Sequence, residues 1–579
     1  MRQLIKVLFF ISIIFNATAQ ENSKPATFCN PLDLPYRFQL NGSQREAADP
    51  VIVLYKNYYW LFASKSGGYW KSKDMVSWQL VEPTGLPLEQ YAPAVAVYKN
   101  KLYFLAGNAV FTTDDPHKGN WNKIATLPYS LSDPALFVDD DGRIYLYHGC
   151  TENKPLQAVE LDTVTFLPKE KSVPIAYPDM LHRGWEVAGD GNTGKKVSDT
   201  ILKNFLPWIE GSWMNKINGK YYLQYAAPGT QFKSYGDGVF ISDAPMGPFI
   251  YAPYSPFSFK PQGFVTGVGH SATFQDINKN YWHVTTVALS VRHSFERRLA
   301  LFPTFVTADG QLHTNTYLGD YPQVAPHLLQ NGAMNNLVGW MLLSYNKPAT
   351  SSSTLQSPAN QSFNVNNAFD EKMSTWWSAS TGNKGEWLQV DLTKVCSVNA
   401  IQINFADQAA EIFGRLRNDG YKYIIEASKD AVNWNIIIDR RDTARDEPHH
   451  YVQLDNPVMA RYVRITNEHS PANSLFSLYD FRIFGSALGK NPARVTSVEA
   501  KRNNNDFRKV HVSWKPITGA DFYIVRYGIR KDRLWNNYQV YQSTELDINS
   551  LNTNTAYYII VDAVNATGIT RGKKLAKIK

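Results

Sequence analysis

A β-hairpin-like segment recurs along the N-terminal half of the chain, and this repetition restricts the fold more than any other feature. Each copy has a short apolar stretch, a turn with Asn, Asp or Gly, and an aromatic-rich stretch. The copies begin at Asp49, Ala92, Asp133, Glu210 and His270. The first three lie roughly 40 residues apart, the length of a four-stranded propeller blade. We therefore predict an all-β protein with a five-bladed β-propeller over residues 30–335.

The wider spacing of the later copies indicates insertions in the propeller, including the polar stretch at residues 182–203. Two further β-rich units are predicted, over residues 340–487 and 491–579. A Ser-, Thr- and Asn-rich segment near residue 350 is typical of a linker. Alternating apolar and polar residues in the last unit favour a β-sandwich.

The N-terminus has the pattern of a secretory signal peptide over residues 1–19. Arg2 and Lys6 precede an apolar run at residues 7–15, and small residues at 17–19 resemble a cleavage site. The run is short for a membrane span, and no cysteine follows it as a lipid attachment site. No later segment has the length of a membrane helix, so we expect a periplasmic or extracellular protein.

Composition excludes some classes of function. The formal charge is +8 over 579 residues and the basic residues are scattered, which disfavours nucleic acid as a partner. Aromatic residues make up 13% of the chain, which suits β-rich cores and surfaces that stack on sugars. Cys29, Cys150 and Cys396 allow at most one disulfide, and we expect free, buried thiols.

Three repeats begin with a carboxylic acid, namely Asp49-Pro50, Asp133-Pro134 and Glu210-Gly211. A residue before proline is extended, and proline is tolerated at a strand start, so equivalent carboxylates would converge on the propeller axis. Glycoside hydrolysis requires two such groups in different protonation states. We interpret Asp49 as general base and the longer Glu210 as general acid. Asp133 would raise the pKa of Glu210 and orient the sugar.

Other readings of these acids stay open. An isolated Asp-Pro is usually turn chemistry at a strand start, and three acids at matching repeat positions argue against that explanation. Glu186 is a rival acid. His270 stands at the repeat position of the last copy, where it could bind a metal ion or water, or fill the core with its hydrogen bonds satisfied.

Candidate substrate-binding residues lie near the predicted inner strands. Arg297 could clamp a sugar hydroxyl or Asp133, or form a strand-end salt bridge. One or two aromatic side chains could stack on sugars while most belong to blade cores; the candidates are Trp70, Tyr91, Trp208 and Trp213, followed by Trp60 and Phe232.

These motifs resemble glycoside hydrolase family 43, whose members are five-bladed propellers with an Asp base, a second Asp as pKa modulator and a Glu acid. Asp49, Asp133 and Glu210 match them in order and neighbours. The second unit, with AFDEKMSTWWSAS, EWLQVDL and ARYVRITN, resembles the discoidin fold of family 32 carbohydrate-binding modules, in which Trp376, Trp377 and Trp387 look like scaffold residues. The third unit is similar to a fibronectin type III domain.

The resemblance implies an inverting enzyme that removes non-reducing terminal sugars from plant-type polysaccharide, α-L-arabinofuranosyl groups foremost. β-Xylosidase, galactosidase and galactofuranosidase activities stay open. A non-catalytic sugar-binding or adhesion propeller and a sialidase-like propeller are the alternatives of other classes. The chemistry requires no cofactor. A structural calcium ion is implied on the propeller axis near His270, and another in the discoidin-like unit.

Overall fold

The computed structural model describes residues 27–194, 207–289, 295–330, 332, 335–357, 361–415, 419–443 and 445–579. In this part of the chain, five antiparallel sheets built from consecutive strands form a ring. The innermost strands of successive sheets contact one another, and the innermost strand of the fifth contacts that of the first. This arrangement is a five-bladed β-propeller, and it confirms the all-β prediction.

The first three blades have strands of similar lengths. Blade 1 contains Ala48–Tyr55, Tyr58–Ser64, Tyr69–Ser72 and Gln79–Val81. Blade 2 contains Ala94–Tyr98, Lys101–Ala106, Ala109–Thr113 and Asn122–Thr126. Blade 3 contains Ala135–Val138, Ile144–His148, Leu156–Leu161 and Val173–Ala176.

Blade 4 carries extra short strands, and the last blade leads to the closing pair. Blade 4 contains Trp208–Ile217, Lys220–Ala227, Gly236–Ser242 and Ile250–Tyr251, with Thr151–Glu152 and Ser258–Phe259 paired to it. Blade 5 contains Thr266–Gln275, Tyr281–Ala288, Arg297–Val306 and Leu312–Thr314. Thr27–Phe28 pairs with Gln323–Val324 after the fifth blade.

The second unit is a β-structure with its own core. Its strands are Met341–Leu342, Ala349–Ser351, Trp377–Ser378, Trp387–Phe405, Lys422–Ser428, Asn435–Asp439, His449–His469 and Ser477–Ala487. Trp376 and Trp377 are buried, as expected of scaffold residues, whereas Trp387 is half-buried. The helices of the described chain are short 3-10 turns: Pro116–Lys118, Gly184–Glu186, Asp190–Asn192, Pro326–Leu328, Val365–Phe369 and Pro471–Asn473.

The third unit is a two-sheet sandwich. One sheet contains Val498–Arg502, Val510–Trp514 and Glu545–Ile548. The other contains Phe522–Gly528, Asn536–Tyr541, Tyr557–Asn565, Gly568–Thr570 and Ala576–Ile578. Both sheets contribute to one apolar core that includes Trp514 and Tyr557. The fibronectin type III assignment of this sandwich stays a prediction.

A buried ionic junction joins all three units. Lys260 of the propeller lies 3.4 Å from Asp320 and also donates to Gln539 of the third unit. Arg482 of the second unit pairs with Glu371 at 2.7 Å and donates to the backbone carbonyl of Asp320. Buried ions require such partners because desolvation is costly, so Lys260 takes one partner from the third unit and Arg482 takes one from the propeller.

The third unit also contacts the insertion that precedes blade 4. The Gly184 amide donates to the carbonyl of Leu551 at 2.9 Å, and Arg508 donates to the carbonyl of Met180 at 2.5 Å. A Cβ on Gly184 would lie 2.3 Å from the carbonyl oxygen of Asn549. Only glycine permits this close approach, so the sandwich rests directly on the propeller insertion.

Candidate active site

A cavity of about 730 Å³ lies where the five blades meet. Asp49 enters it from blade 1 and Asp133 from the start of blade 3, and Glu210 enters from blade 4. The structure therefore brings the three predicted carboxylates together. The remaining lining residues are mainly polar or aromatic: Gln90, Tyr91, Gly107, Asn108, Ser130, Leu131, Ser132, Cys150, Glu152, Ala188, Trp208, Pro228, Gly229, Thr230, Gln231, Phe232, Phe295 and Arg297.

The backbone that presents these acids is left-handed at one residue in each repeat. Asp49, Asp133 and His270 have φ angles of 52°, 49° and 51°. In blades 1 and 5 this residue belongs to a bulge, in which two residues of the innermost strand face one residue of its neighbour. Bulges aim side chains at sites, which explains how Asp49 and His270 point to the axis.

The prediction that Glu210 occupies the equivalent repeat position is wrong. In blade 4 the left-handed residue is Gly211, with φ 63°, and Glu210 pairs with Ala226 just before the bulge. Glu210 therefore corresponds to Ala48 in blade 1. A Cβ on residue 211 would lie 2.7 Å from His270 Cγ, so the bulge position of blade 4 has room only for glycine.

Asp49 lies among groups that stabilise its ionised form. Its carboxylate accepts from Ser64 at 2.5 Å, and Arg297 and His270 lie 3.2 and 3.3 Å from Oδ1. Burial raises the pKa of Asp49, but the charges of Arg297 and His270 and the Ser64 hydrogen bond outweigh it. The pKa of Asp49 is therefore below its ordinary value, as a general base requires.

Asp133 has the opposite electrostatic setting. Burial, together with the charges of Glu210 and Asp49, raises the pKa of Asp133 to about 7 despite the attraction of His270. His270 Nδ1 lies 3.5 Å from Asp133 Oδ2. Burial lowers the pKa of His270, but the surrounding carboxylates outweigh it and raise the pKa above the ordinary value.

Glu210 is held by three donors. Trp208 Nε1 donates to Oε2 at 2.6 Å, the Cys150 thiol donates to Oε2 at 3.0 Å, and the Tyr235 hydroxyl donates to Oε1. Cys150 also contacts Asp133, and burial followed by both carboxylate charges raises the pKa of its thiol. The thiol is therefore a neutral donor between the two acids.

Sequence reasoning missed three residues that support this site. Glu46 is buried and pairs with Arg297 Nη2 at 2.7 Å, which fixes Arg297 beside Asp49. Its place three residues before Asp49 was the available signal. The sequence offers Cys150 only as a possible disulfide partner; all three cysteines are described and free, and Cys150 is half-buried in the cavity wall. Tyr235 has no distinguishing sequence motif.

The predicted substrate-binding residues divide into two groups. Tyr91, Trp208 and Arg297 line the cavity, and so does Phe232. The structure places Trp70 elsewhere, fully buried in a blade core with Trp60. Trp213 packs against the blade cores and donates to the carbonyl of Thr273 at 2.8 Å.

Trp70 and Trp213 are therefore corrected to structural residues. Successive residues of a strand point to opposite faces, and these two indoles point into the blades.

Glu186 is also structural. Its carboxylate accepts from the Tyr225 hydroxyl at 2.6 Å, from Arg183 at 3.0 Å and from the Asp179 amide at 2.6 Å. All of its strong partners belong to the insertion or to blade 4, and Glu186 does not line the cavity in the described residues.

Two groups of described side chains have the spacing of metal ligands, Asp133 with Glu210 and His270, and Asp33 with Glu447 and His450. Calcium prefers six to eight oxygen ligands. The axial group offers an imidazole, and its Glu210 oxygens already accept three hydrogen bonds. This donor set fits an ion-paired cluster better than calcium; calcium near His270 and in the second unit stays a prediction.

The fold and cavity define a five-bladed propeller protein with an acidic axial site. Residues 43–312 match the family model for glycosyl hydrolases family 43, and residues 348–481 match the F5/8 type C domain. The propeller is therefore similar to family 43 glycosyl hydrolases, and the second unit is similar to F5/8 type C, or discoidin-like, domains.

Three relatives illustrate the similarity. An arabinoxylan arabinofuranohydrolase of Paenibacillus polymyxa is 34% identical over 231 residues, covering 35% of this chain and 33% of the relative. A β-D-galactofuranosidase of Aspergillus niger is 24% identical over 278 residues, covering 41% and 72%. A β-xylosidase of Xylanibacter ruminicola is 34% identical over 146 residues, covering 21% and 40%. The chain thus spans well under half of the first and third.

No helix among the described residues has the length and apolarity needed to cross a membrane.

Proposed function

We propose that the protein is a secreted, inverting glycoside hydrolase that removes terminal α-L-arabinofuranosyl groups from plant-type polysaccharide. The observation that carries the proposal is the pair of opposed environments in one cavity. Asp49 is kept ionised by Arg297 and His270, whereas burial raises the pKa of Asp133, which lies near Glu210, to about 7. Two carboxyl groups in different protonation states are what glycoside hydrolysis requires.

The proposed reaction uses these groups in one displacement. Asp49 removes a proton from a water molecule, whose oxygen attacks the anomeric carbon. Glu210 donates its proton to the glycosidic oxygen, so the leaving group departs as an alcohol. Asp133 contacts Cys150 beside Glu210, and Trp208, Tyr235 and Cys150 hold the Glu210 carboxyl group in position. Attack opposite the departing group inverts the anomeric centre.

The family match and the arabinofuranohydrolase relative support this substrate class. The galactofuranosidase relative, which aligns over 72% of its length, favours β-D-galactofuranosides as the second candidate. Secretion is inferred from residues 1–19, which lie outside the described residues; N-terminal sequencing of exported protein tests it.

A panel of aryl glycosides tests the function: α-L-arabinofuranoside, β-D-xyloside, β-D-galactofuranoside and β-D-galactopyranoside. We expect turnover of the arabinofuranoside. NMR of the first-formed anomer should show inverted configuration. Asp49→Asn should nearly abolish turnover while sugar binding persists. Glu210→Gln should affect poor leaving groups most, because activated aryl groups need less protonation. Wild-type-like rates in Asp49→Asn would overturn the proposal, and no turnover with retained glycan binding would favour a binding propeller.

A further inference from the structure

A loop of the discoidin-like domain reaches the rim of the cavity. It follows Trp387–Phe405, and its Arg415 pairs with Glu89 of the propeller and donates to the carbonyl of Phe38 at 3.1 Å. A Cβ on Gly67 would lie 2.2 Å from Arg415 Cζ. The propeller surface therefore has a space that the Arg415 side chain fills, and the loop has a fixed seat beside the cavity.

The seat adjoins an aromatic part of the cavity wall. Glu89 is two residues from Tyr91, and Lys65, whose carbonyl accepts from Arg415 at 3.4 Å, places its Nζ 4.6 Å from the centre of the Tyr91 ring. The rings of Tyr91 and Phe295 lie 5.8 Å apart and both line the cavity. They are 44% and 38% exposed, so each presents surface to a ligand.

The same loop exposes large apolar side chains. Ile412 and Phe413 are 61% and 53% exposed. Phe413 is two residues from Arg415, so their Cα atoms lie at most about 7 Å apart. Tyr91 and Glu89 are also two residues apart, so the same limit applies to the distance between their Cα atoms. Ile412 and Phe413 thus lie within three residues of the Arg415 contact with the propeller, and Tyr91 lies two residues from the same contact.

We propose that Ile412 and Phe413, with Tyr91 and Phe295, bind the main chain of the polymeric substrate beyond the bond that is cleaved. This inference rests on the proposed function. A cavity of about 730 Å³ has the size of a small-ligand pocket, so the rest of a polysaccharide must leave across the rim. Flat rings suit the apolar faces of sugar units. Arg415 and Glu89 neutralise each other's charge at this rim.

The discoidin-like domain would then take part in substrate binding at the rim of the active site. Its loop would act as a binding subsite for an uncharged polysaccharide chain, continuous with the cavity. If the domain only anchored the enzyme to distant glycans, residues 412 and 413 would not need to contact the polysaccharide chain that is being cleaved.

The test compares polymer and small substrate in the full chain. Ile412→Ala/Phe413→Ala would be assayed on soluble arabinoxylan and on the aryl α-L-arabinofuranoside. We expect kcat/KM for the polymer to fall 5- to 20-fold more than kcat/KM for the aryl substrate, mainly through KM. Val432→Ala is the matched control, since Val432 is 78% exposed on another turn of the same domain, and it should change neither value.

The possible results separate the inference from the proposed function. Equal losses on both substrates, or an unchanged polymer KM, would overturn the subsite. Failure of the wild-type enzyme on every glycoside would overturn the proposed function instead. In that case, calorimetric binding of arabinoxylan oligosaccharides to the wild-type protein and to the double variant still decides the subsite: equal affinities contradict it, and weaker binding by the variant supports it.

Discussion

The Cys150 thiol donates a hydrogen bond to Glu210 Oε2 over 3.0 Å. Because the thiol also contacts Asp133, it links the proposed acid to the carboxyl group that holds a proton beside it. A side chain without a donor would leave Glu210 freer to rotate and would remove a contact between the two acids.

Cys150→Ala should therefore lower kcat/KM for glycosides with poor leaving groups roughly 3- to 10-fold, the worth of one hydrogen bond. Aryl glycosides with activated leaving groups should lose less. Cys150→Ser keeps a donor of similar size and should recover most of the rate. Equal losses on both substrate types, with no recovery by serine, would indicate that Cys150 only fills space.

Gly211→Ala should strongly impair turnover. The added Cβ would meet the His270 ring at 2.7 Å, and alanine in a left-handed conformation costs about 1–2 kcal/mol. We expect kcat to fall at least 10-fold because His270 lies beside both Asp49 and Asp133. Gly219→Ala is the control: Gly219 has φ 78° and open space around it, so it should lower thermal stability alone. Similar kcat values for the two variants would contradict the steric argument.

Asp133→Asn should stabilise the protein more at pH 8 than at pH 5. The pKa of Asp133 is raised in the folded state, from 3.8 to about 7. Its contribution to stability is therefore fully present below the unfolded pKa and lost as pH rises through about 7. Asparagine removes this loss, which is roughly 1–3 kcal/mol between the two pH values. Denaturant unfolding at both pH values measures it; a pH-independent difference would show that Asp133 titrates normally.

The raised pKa of Asp133 also predicts where activity declines on the alkaline side. Because Asp133 is protonated below about pH 7, kcat/KM of the wild-type enzyme should decline as pH rises through that region. Asp49, whose pKa is lowered, should stay ionised well into the acid range. Initial rates from pH 4 to 9 check this, and a flat profile up to pH 9 would contradict it.

Gly184→Ala should loosen the third domain from the insertion. Its Cβ would lie 2.3 Å from the Asn549 carbonyl oxygen and 2.7 Å from that of Leu551, and backbone atoms cannot move aside cheaply. Ala188, four residues on, lines the cavity, so kcat/KM should fall together with faster proteolysis of the insertion. Gly142→Ala, in a turn with open space, should change neither; unchanged proteolysis in Gly184→Ala would argue against the contact.

The sequence was sufficient for the propeller because its hairpins repeat at blade length and share one pattern. It was sufficient for Asp49 and Asp133 because each precedes a proline at a strand start. It misplaced Glu210 by one residue, since a bulge inserts a residue without altering the hydrophobic pattern. Gly211, the left-handed residue of that bulge, was the one sign of it in the sequence. Trp70 and Trp208 could not be told apart, because the face of a strand that meets the cavity depends on register between blades. Cys150 and Tyr235 reach the site through tertiary packing alone.

The junction of Lys260, Asp320, Glu371 and Arg482 has a consequence for how this chain can be divided. Each unit has its own apolar core, which suggests interchangeable modules. Yet both buried cations also donate across the junction, Lys260 to Gln539 and Arg482 to the Asp320 carbonyl. A truncated propeller would leave Lys260 without the Gln539 oxygen, and a transplanted second unit would leave Arg482 without the Asp320 carbonyl. The three units are therefore expected to be stable only as a single piece, although their folds are those of separable parts.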